Sequence, residues 1–497
     1  ILNYFLKAKL PDRLVEDFLA LFNVVKSPIA VRSSSLLEDS HYQPFAGIYN
    51  TYMIPYLDDK YDMLEMLSDA IKGVYASVYF KSSKAYMRAT SNVIDQEKMA
   101  VILQEVVGNQ YGSKYYPSMS GVARSLNFYP LGDEKAEEGI VNLALGLGKY
   151  VVDGGVTLRF SPYHPHKILQ TSELDLALKE TQTQFYALDL KNTGGNFSID
   201  DGFNLLKLRV RQAEKDGSLQ FLASTYDPYD QVIRDGIYPG GRKVITFANI
   251  LQHEVFPLAN ILKLVLKKSV EEMCRPIEIE FAVKLNAENR TGLFYLLQIR
   301  PIVENKAVMN EDLNTIPEEQ LLLKSANSLG HGEMHDLFDV VYVKTQDYTP
   351  KNNLQIAEEL EKINSQLTEE NKNYVLIGPG RWGSSDHWLG IPVKWPHISS
   401  ARLIVEAGLK TFQVDPSQGT HFFQNLTSFG VGYFTINPHV GDGLYNQEYL
   451  DHQPAITETE HLRHVRFEQP ICVKMNGKKK MGVAYLPEYS PLSSPTV

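Results

Sequence analysis

The sequence predicts a mixed α+β or α/β protein, and three observations carry that prediction. Short apolar strand-like segments alternate with amphipathic helical ones along much of the chain. Its 497 residues leave room for about three domains of roughly 150 residues, each with its own core. A composition of 43% hydrophobic and 22% charged residues is that of a globular chain, and it excludes wholesale disorder, collagen repeats and a pure coiled coil.

Asp12 to Phe22 sets Leu14, Val15, Phe18, Leu19 and Phe22 on one helical face behind Pro11. A strand, Ile29-Ala30-Val31, then runs into Arg32-Ser33-Ser34-Ser35, and Val101 to Val107 reads as a second strand. Ile140 to Leu147 is apolar and ends in Gly146-Leu147-Gly148. From about 171 to 239 the chain mixes charge, glycine and aromatics, and we expect a β-rich insert there. Ala259 to Arg275 is a helix stopped by Pro276. Ile277–Val283 and Leu293–Ile299 form a hairpin across a polar turn from Asn286 to Thr291. Residues 304–340 are polar and read as a connector. Beyond them a helix from Leu354 to Leu367, strands at Tyr374–Ile377, Ala401–Val405 and Gly432–Ile436, and a helical stretch from His421 to Phe429 outline a smaller α/β domain over 341–440. The remainder, 441–497, reads as a C-terminal extension.

Forty-nine Lys and Arg against 59 Asp and Glu give a net charge of −10, which argues against a nucleic-acid partner. No apolar run reaches 18 residues, so no membrane-spanning helix is expected. Cys274 and Cys472 cannot build a disulfide framework or a zinc site, and they suit a reducing, cytoplasmic setting. The first residues, Ile1-Leu2-Asn3-Tyr4, lack the basic and apolar pattern of a signal peptide, and the simplest expectation is a piece of a longer polypeptide.

Three constellations carry chemistry. Val31-Arg32-Ser33-Ser34-Ser35 precedes Glu38-Asp39 and Phe45-Ala46-Gly47-Ile48-Tyr49-Asn50-Thr51. A guanidinium beside hydroxyls and a close-approach glycine is what a polyphosphate needs, although a salt-bridged surface loop has the same local composition. Glu280 and Gln298 fall on the paired hairpin strands, with Arg300 on the same face by alternation. A carboxylate and an amide oxygen are hard ligands suited to Mg²⁺, and a solvated cross-strand pair is the plain alternative. The glycine-rich Gly146 to Gly155 follows a strand but lacks the spacing of a P-loop or dinucleotide fingerprint.

In this order the segments resemble the ATP-binding domain of the pyruvate phosphate dikinase and phosphoenolpyruvate synthase family, an ATP-grasp-like fold. The family's VRSS, acidic pair and FAG…T stand at Val31 to Thr51, and its strand ending in Gln is similar to Val101–Gln104. Its SGVA is Ser120-Gly121-Val122-Ala123, and its GLG…VV.G.VT resembles Gly146 to Thr157. Its closing IE(F/W)A…LLQ.RP resembles Ile279 to Ala282 and Leu296 to Pro301.

The resemblance implies a nucleotide-binding domain over 1–303 that binds ATP with Mg²⁺. It makes Arg32 and Arg300 clamps on the transferring phosphates and Glu280 and Gln298 metal ligands. Ser33, Gly47 and Thr51 join the phosphate site, and Gln104, Glu105 and Val106 form the hinge that meets adenine. Two departures stand out: the family's upstream KG.NL lysine segment is absent, and its QxMV hinge reads Gln104-Glu105-Val106-Val107. The first implies that the N-terminal part of the ATP lobe is incomplete in this piece, which puts its activity in doubt.

The family relays phosphate through a histidine in GG.TSH on a swivelling domain. No unbroken TSH occurs, but Gly419-Thr420-His421 opens a helical stretch, and Gly430-Val431 follows at the offset of the family's LGIP. The dipole and free N–H groups of a helix start suit a phosphorylated imidazole, so His421 is a candidate carrier; a structural histidine beside Thr420 is the plainer reading. Gly378 to Ser384 could receive a phosphorylated or stacking substrate, or be an ordered loop. The expected function is ATP-dependent phosphotransfer to an unidentified acceptor (pyruvate, a carbohydrate or another small molecule), involving further domains of a longer chain. The alternative is a nucleotide-sensing or scaffold protein that kept the fold and lost the relay.

Overall fold

The computed structural model describes residues 1–35, 47–81, 83–84, 87, 97–128, 130, 133–191, 197–286, 291–302, 313–346, 348–384, 386–410, 414, 422–423, 426, 431–477 and 479–490. The chain divides into two compact units. The first comprises Ile1–Lys84 and Asn92–Ile302, the second Val303–Val497 with the short run Ala85–Ser91.

In the first unit, Ile29–Ser35 is the middle strand of a three-stranded sheet, antiparallel to Tyr52–Ile54 and to Met99–Glu105. Two helices cover its apolar face. The expected one runs Asp12–Val24. The other, Lys60–Ser77, went unread in the sequence, although its signals are there. Asp59 accepts the N–H groups of Tyr61 and Asp62 at 2.7 and 3.0 Å, and Met63, Met66, Leu67, Ala70, Ile71 and Val74 recur at helical spacing. These side chains pack on Ile29, Val31, Tyr52 and Ile54.

A second sheet has five antiparallel strands in the order Thr291–Pro301, Ile277–Asn286, Met119–Arg124, Ile140–Ala144, Leu158–Phe160. The pleat sorts its residues. Ile277, Ile279, Phe281 and Val283 enter the core with Leu258, Leu262 and Leu266 of the Leu258–Met273 helix, whereas Glu278 and Glu280 alternate onto the other face. Gly121 allows this packing, since a Cβ there would lie 2.6 Å from the Phe281 ring.

The 171–239 stretch is not a separate insert. Its Gln184–Asp189 strand pairs with Lys114–Tyr116, its Ala223–Asp227 strand pairs with Arg242–Ile245, and its apolar residues join the same core. Short mixed strands carry little apolar pattern of their own, so their partners elsewhere in the chain could not be read locally.

The second unit is built on a ten-stranded mixed sheet. His331–Val343, Tyr374–Pro379, Ala401–Ala407 and Gly432–Ile436 run parallel as neighbours, with Asn353–Glu369 the crossover helix after the first. Two expectations are corrected here. The 304–340 connector contains strands at Leu321–Ser325 and Asn327–Leu329 and most of His331–Val343, because Leu321, Leu322, Leu323, Leu337 and Val340 are buried. Nor is 441–497 an extension: Leu462–Asn476 and Met481–Tyr485 are inner strands of the same sheet. The expected helical stretch from His421 to Phe429 falls mainly outside the described residues.

Within this sheet Glu406 is 1% exposed. Its carboxylate accepts the Trp382 backbone N–H at 2.8 Å and the Tyr433 hydroxyl. Trp382 itself is buried, its indole N–H bonded to the Val405 carbonyl at 3.1 Å, so it pins the Gly378–Ser384 loop to the sheet and offers no free stacking surface. Burial lifts Glu406 from 4.5 to about 7, against the lowering pull of Tyr433, Trp382 and Arg381. A raised carboxylate contributes stability in full below its unfolded pKa and loses it as pH climbs through the folded one. Glu406→Gln, which keeps the shape, is therefore expected to gain on the native protein between pH 5 and 8, by roughly 3 kcal/mol at most. Chemical denaturation across that range checks it, and a flat difference would show that Glu406 keeps an ordinary pKa.

Candidate nucleotide site

Arg32 stands fourth on its strand, opposite Ile102, and Gln104 follows two residues further on that neighbouring strand. Alternation places both side chains on the face away from the helices. Glu280 sits directly opposite Gln298 on the hairpin, and Glu278 opposite Arg300; a bulge follows Glu280, and Gln298 and Arg300 stay on one face.

These residues converge. One Arg32 amino group donates to Gln298 Oε1 at 2.5 Å and to Glu280 Oε2 at 3.2 Å, while the other donates to Gln104 Oε1 at 3.2 Å. Arg300 lies 3.6 Å from the other Glu280 oxygen. Gln104 also donates to the Leu297 carbonyl at 3.4 Å. Arg32 and Glu280 keep 17% and 18% of their side-chain surface exposed, so the cluster opens to solvent.

The remaining expected residues are placed as follows. Ser33 follows Arg32 on its strand, opposite Val101. Glu105 accepts the Ser27 hydroxyl at 2.5 Å, and the Val106 N–H is bonded to the Pro28 carbonyl at 2.8 Å. The described residues thus leave the Val106 amide already satisfied within the fold. Gly47 has φ +68°, a backbone few other residues adopt, and Thr51 immediately precedes the Tyr52–Ile54 strand. Phe45, Ala46 and His421 lie outside the described residues.

Two features were not foreseen. Arg124 donates to Glu278 at 2.5 Å, a pair buried at 2% and 5% exposure next to Arg300 on the same sheet face. The pair depends on the register of Met119–Arg124 against Ile277–Asn286, for which the sequence holds no local signal. Lys149, at the start of the short helix Lys149–Val152, lies 3.5 Å from Asp153 and 3.2 Å from Asp201. Burial alone would depress the ammonium; the two carboxylates outweigh it and hold it above the usual lysine range. Tyr150 and Val151 of that helix pack on Val122 and Ala144, which share the sheet face of Glu280.

A face with a guanidinium at its centre, two carboxylates, an amide oxygen and a second arginine offers planar donors for phosphate oxygens and hard oxygens for a divalent cation.

Comparison with known proteins bears on the first unit as a whole. Residues 1–320 match the pyruvate phosphate dikinase AMP/ATP-binding domain. An uncharacterised phosphotransferase, YvkC of Bacillus subtilis (strain 168), is 31% identical over 149 residues, which are 30% of this chain and 16% of that protein. The chain therefore spans about a sixth of that relative's length. With the family match covering well over half of the 497 residues, the chain belongs to the pyruvate phosphate dikinase AMP/ATP-binding domain family.

Proposed function

We propose that the first unit is an ATP-grasp-like domain that binds Mg-ATP over the Arg32–Glu280–Gln298 face and serves ATP-dependent phosphotransfer to a small-molecule acceptor. The observation that carries this reading is the single guanidinium shared by Gln104, Glu280 and Gln298. Ser33, Gly47 and Thr51 would contribute to the phosphate site, and Gln104, Glu105 and Val106 would lie along the adenine edge.

The donor set fits Mg²⁺. Glu280 and Gln298 present oxygens that both already face a positive group, Arg32, so the site is built around cationic charge. Those two residues would hold the metal, which would supply charge neutralisation along the polyphosphate. The protein's own part is electrostatic positioning. Arg300 lies beside Glu280, and with Arg32 it provides fixed positive charge for the phosphate that moves. The buried Arg124–Glu278 pair keeps the strand behind Glu280 in register.

Titration calorimetry tests the metal assignment. Glu280→Ala is expected to abolish most of the Mg²⁺-dependent part of ATP affinity while leaving metal-free binding nearly unchanged. Unaltered Mg-ATP affinity would remove Glu280 from the site.

We further propose that the second unit serves as a diverged swivelling domain with His421 as phosphoryl carrier. The supports are the sequence pattern that predicts a helical stretch opening at His421 and the spacing to Gly430-Val431. Incubation of the protein with [γ-³²P]ATP or [β-³²P]ATP should leave an acid-labile, base-stable label that His421→Ala eliminates. Label surviving that replacement would refute the relay, and ATP binding without any label would favour a nucleotide sensor.

A further inference from the structure

The carboxyl edge of the parallel strands in the second unit carries a cleft that the nucleotide reading does not use. Ala407 and Ile436 are register partners at the ends of neighbouring parallel strands, and the Gly408 N–H still bonds the Ile436 carbonyl at 2.7 Å. The chain then leaves the sheet on both strands, as Gly408-Leu409-Lys410 and as Asn437-Pro438-His439-Val440. Between these segments lies a cleft of about 280 Å³ lined by the same residues, Pro438 excepted. Crevices beyond the carboxyl ends of parallel strands are where open α/β sheets take ligands.

The walls are fixed. Asn437 and Asp442 exchange backbone hydrogen bonds at 2.7 and 3.2 Å, closing the 437–442 turn. The Asn437 side chain clamps Val414, accepting its N–H at 2.9 Å and donating to its carbonyl at 3.3 Å. A site whose backbone is held before a ligand arrives loses less entropy on binding.

Charge selects the ligand. Among the described residues, Lys410 and His439 line the cleft, no carboxylate does, and neither side chain has a hydrogen-bond or ion-pair partner. The acid on the same turn, Asp442, is engaged by Asn327 at 3.1 and 3.3 Å. Two unengaged basic groups in an acid-free cleft of this volume suit a small oxyanion, held by charge-assisted hydrogen bonds. We infer that the cleft between Gly408–Lys410 and Asn437–Val440 is a second binding site, for a small phosphate- or carboxylate-bearing molecule.

Inorganic phosphate and acetate serve as separate probes, with calorimetry for affinity and the His439 ring resonances for location. One of the two anions should bind and shift those resonances, and its identity tells phosphate from carboxylate chemistry. Lys410→Ala with His439→Gln should weaken that binding by about tenfold or more, whereas Lys410→Arg should retain most of it. Arg32→Ala, in the other unit, should leave the anion-induced shifts of the His439 ring intact, which separates this site from the nucleotide reading. Absence of binding by both anions, or equal binding by the double variant, would overturn the inference.

Discussion

The guanidinium of Arg32 is the constraint on which the first unit's polar face depends. It reaches from the three-stranded sheet to the hairpin of the five-stranded one and satisfies Gln104, Glu280 and Gln298 at once. Each partner arrives by a different structural rule. Gln104 comes by register across Ile29–Ser35, and Glu280 and Gln298 come by direct opposition in a hairpin. A lysine, with one compact ammonium, could not divide its donors between two sheets in the same plane. Charges at this depth need partners, and each one here is met by an opposite charge or an amide.

The apolar face of the same hairpin explains how such a polar cluster is tolerated. Ile277, Ile279, Phe281 and Val283 fill the core against Leu258, Leu262 and Leu266, so folding of the sheet is driven from one side while the other is left to chemistry. The Arg124–Glu278 pair extends that division to the next strand. In the second unit Glu406 represents the opposite case. A carboxylate sealed inside an apolar sheet keeps two hydrogen bonds and moves to about 7, and it serves to hold Trp382 and its loop in place.

Residues that could be read from local pattern were read well. The hairpin, with Glu280, Gln298 and Arg300 on one face, follows from strand alternation and needs no distant information, and the Asn353–Glu369 helix lies close to the periodicity of Ile356, Leu360, Ile363 and Leu367. What escaped was decided by distant partners. The strands at 184–189 and 223–227 acquire their identity from pairing with 114–116 and 242–245, and Leu462–Asn476 becomes an inner strand only because His331–Val343 lies beside it. The Lys60–Ser77 helix is legible from Asp59 and its apolar spacing. The Arg124–Glu278 pair needed the register between two strands more than 150 residues apart, which no single-sequence pattern supplies.

The central claim, that Arg32 and Glu280 act on a nucleotide as one unit, is tested most directly by a double-mutant cycle on Mg-ATP affinity. Arg32→Ala, Glu280→Gln and their combination would be compared by calorimetry, with folding checked by the thermal transition of each. A coupled site predicts that the double variant loses clearly less than the two single losses added together, with a coupling of about 1 kcal/mol or more. Strict additivity, in proteins that remain folded, would mean that the two groups meet in the fold without meeting over the ligand.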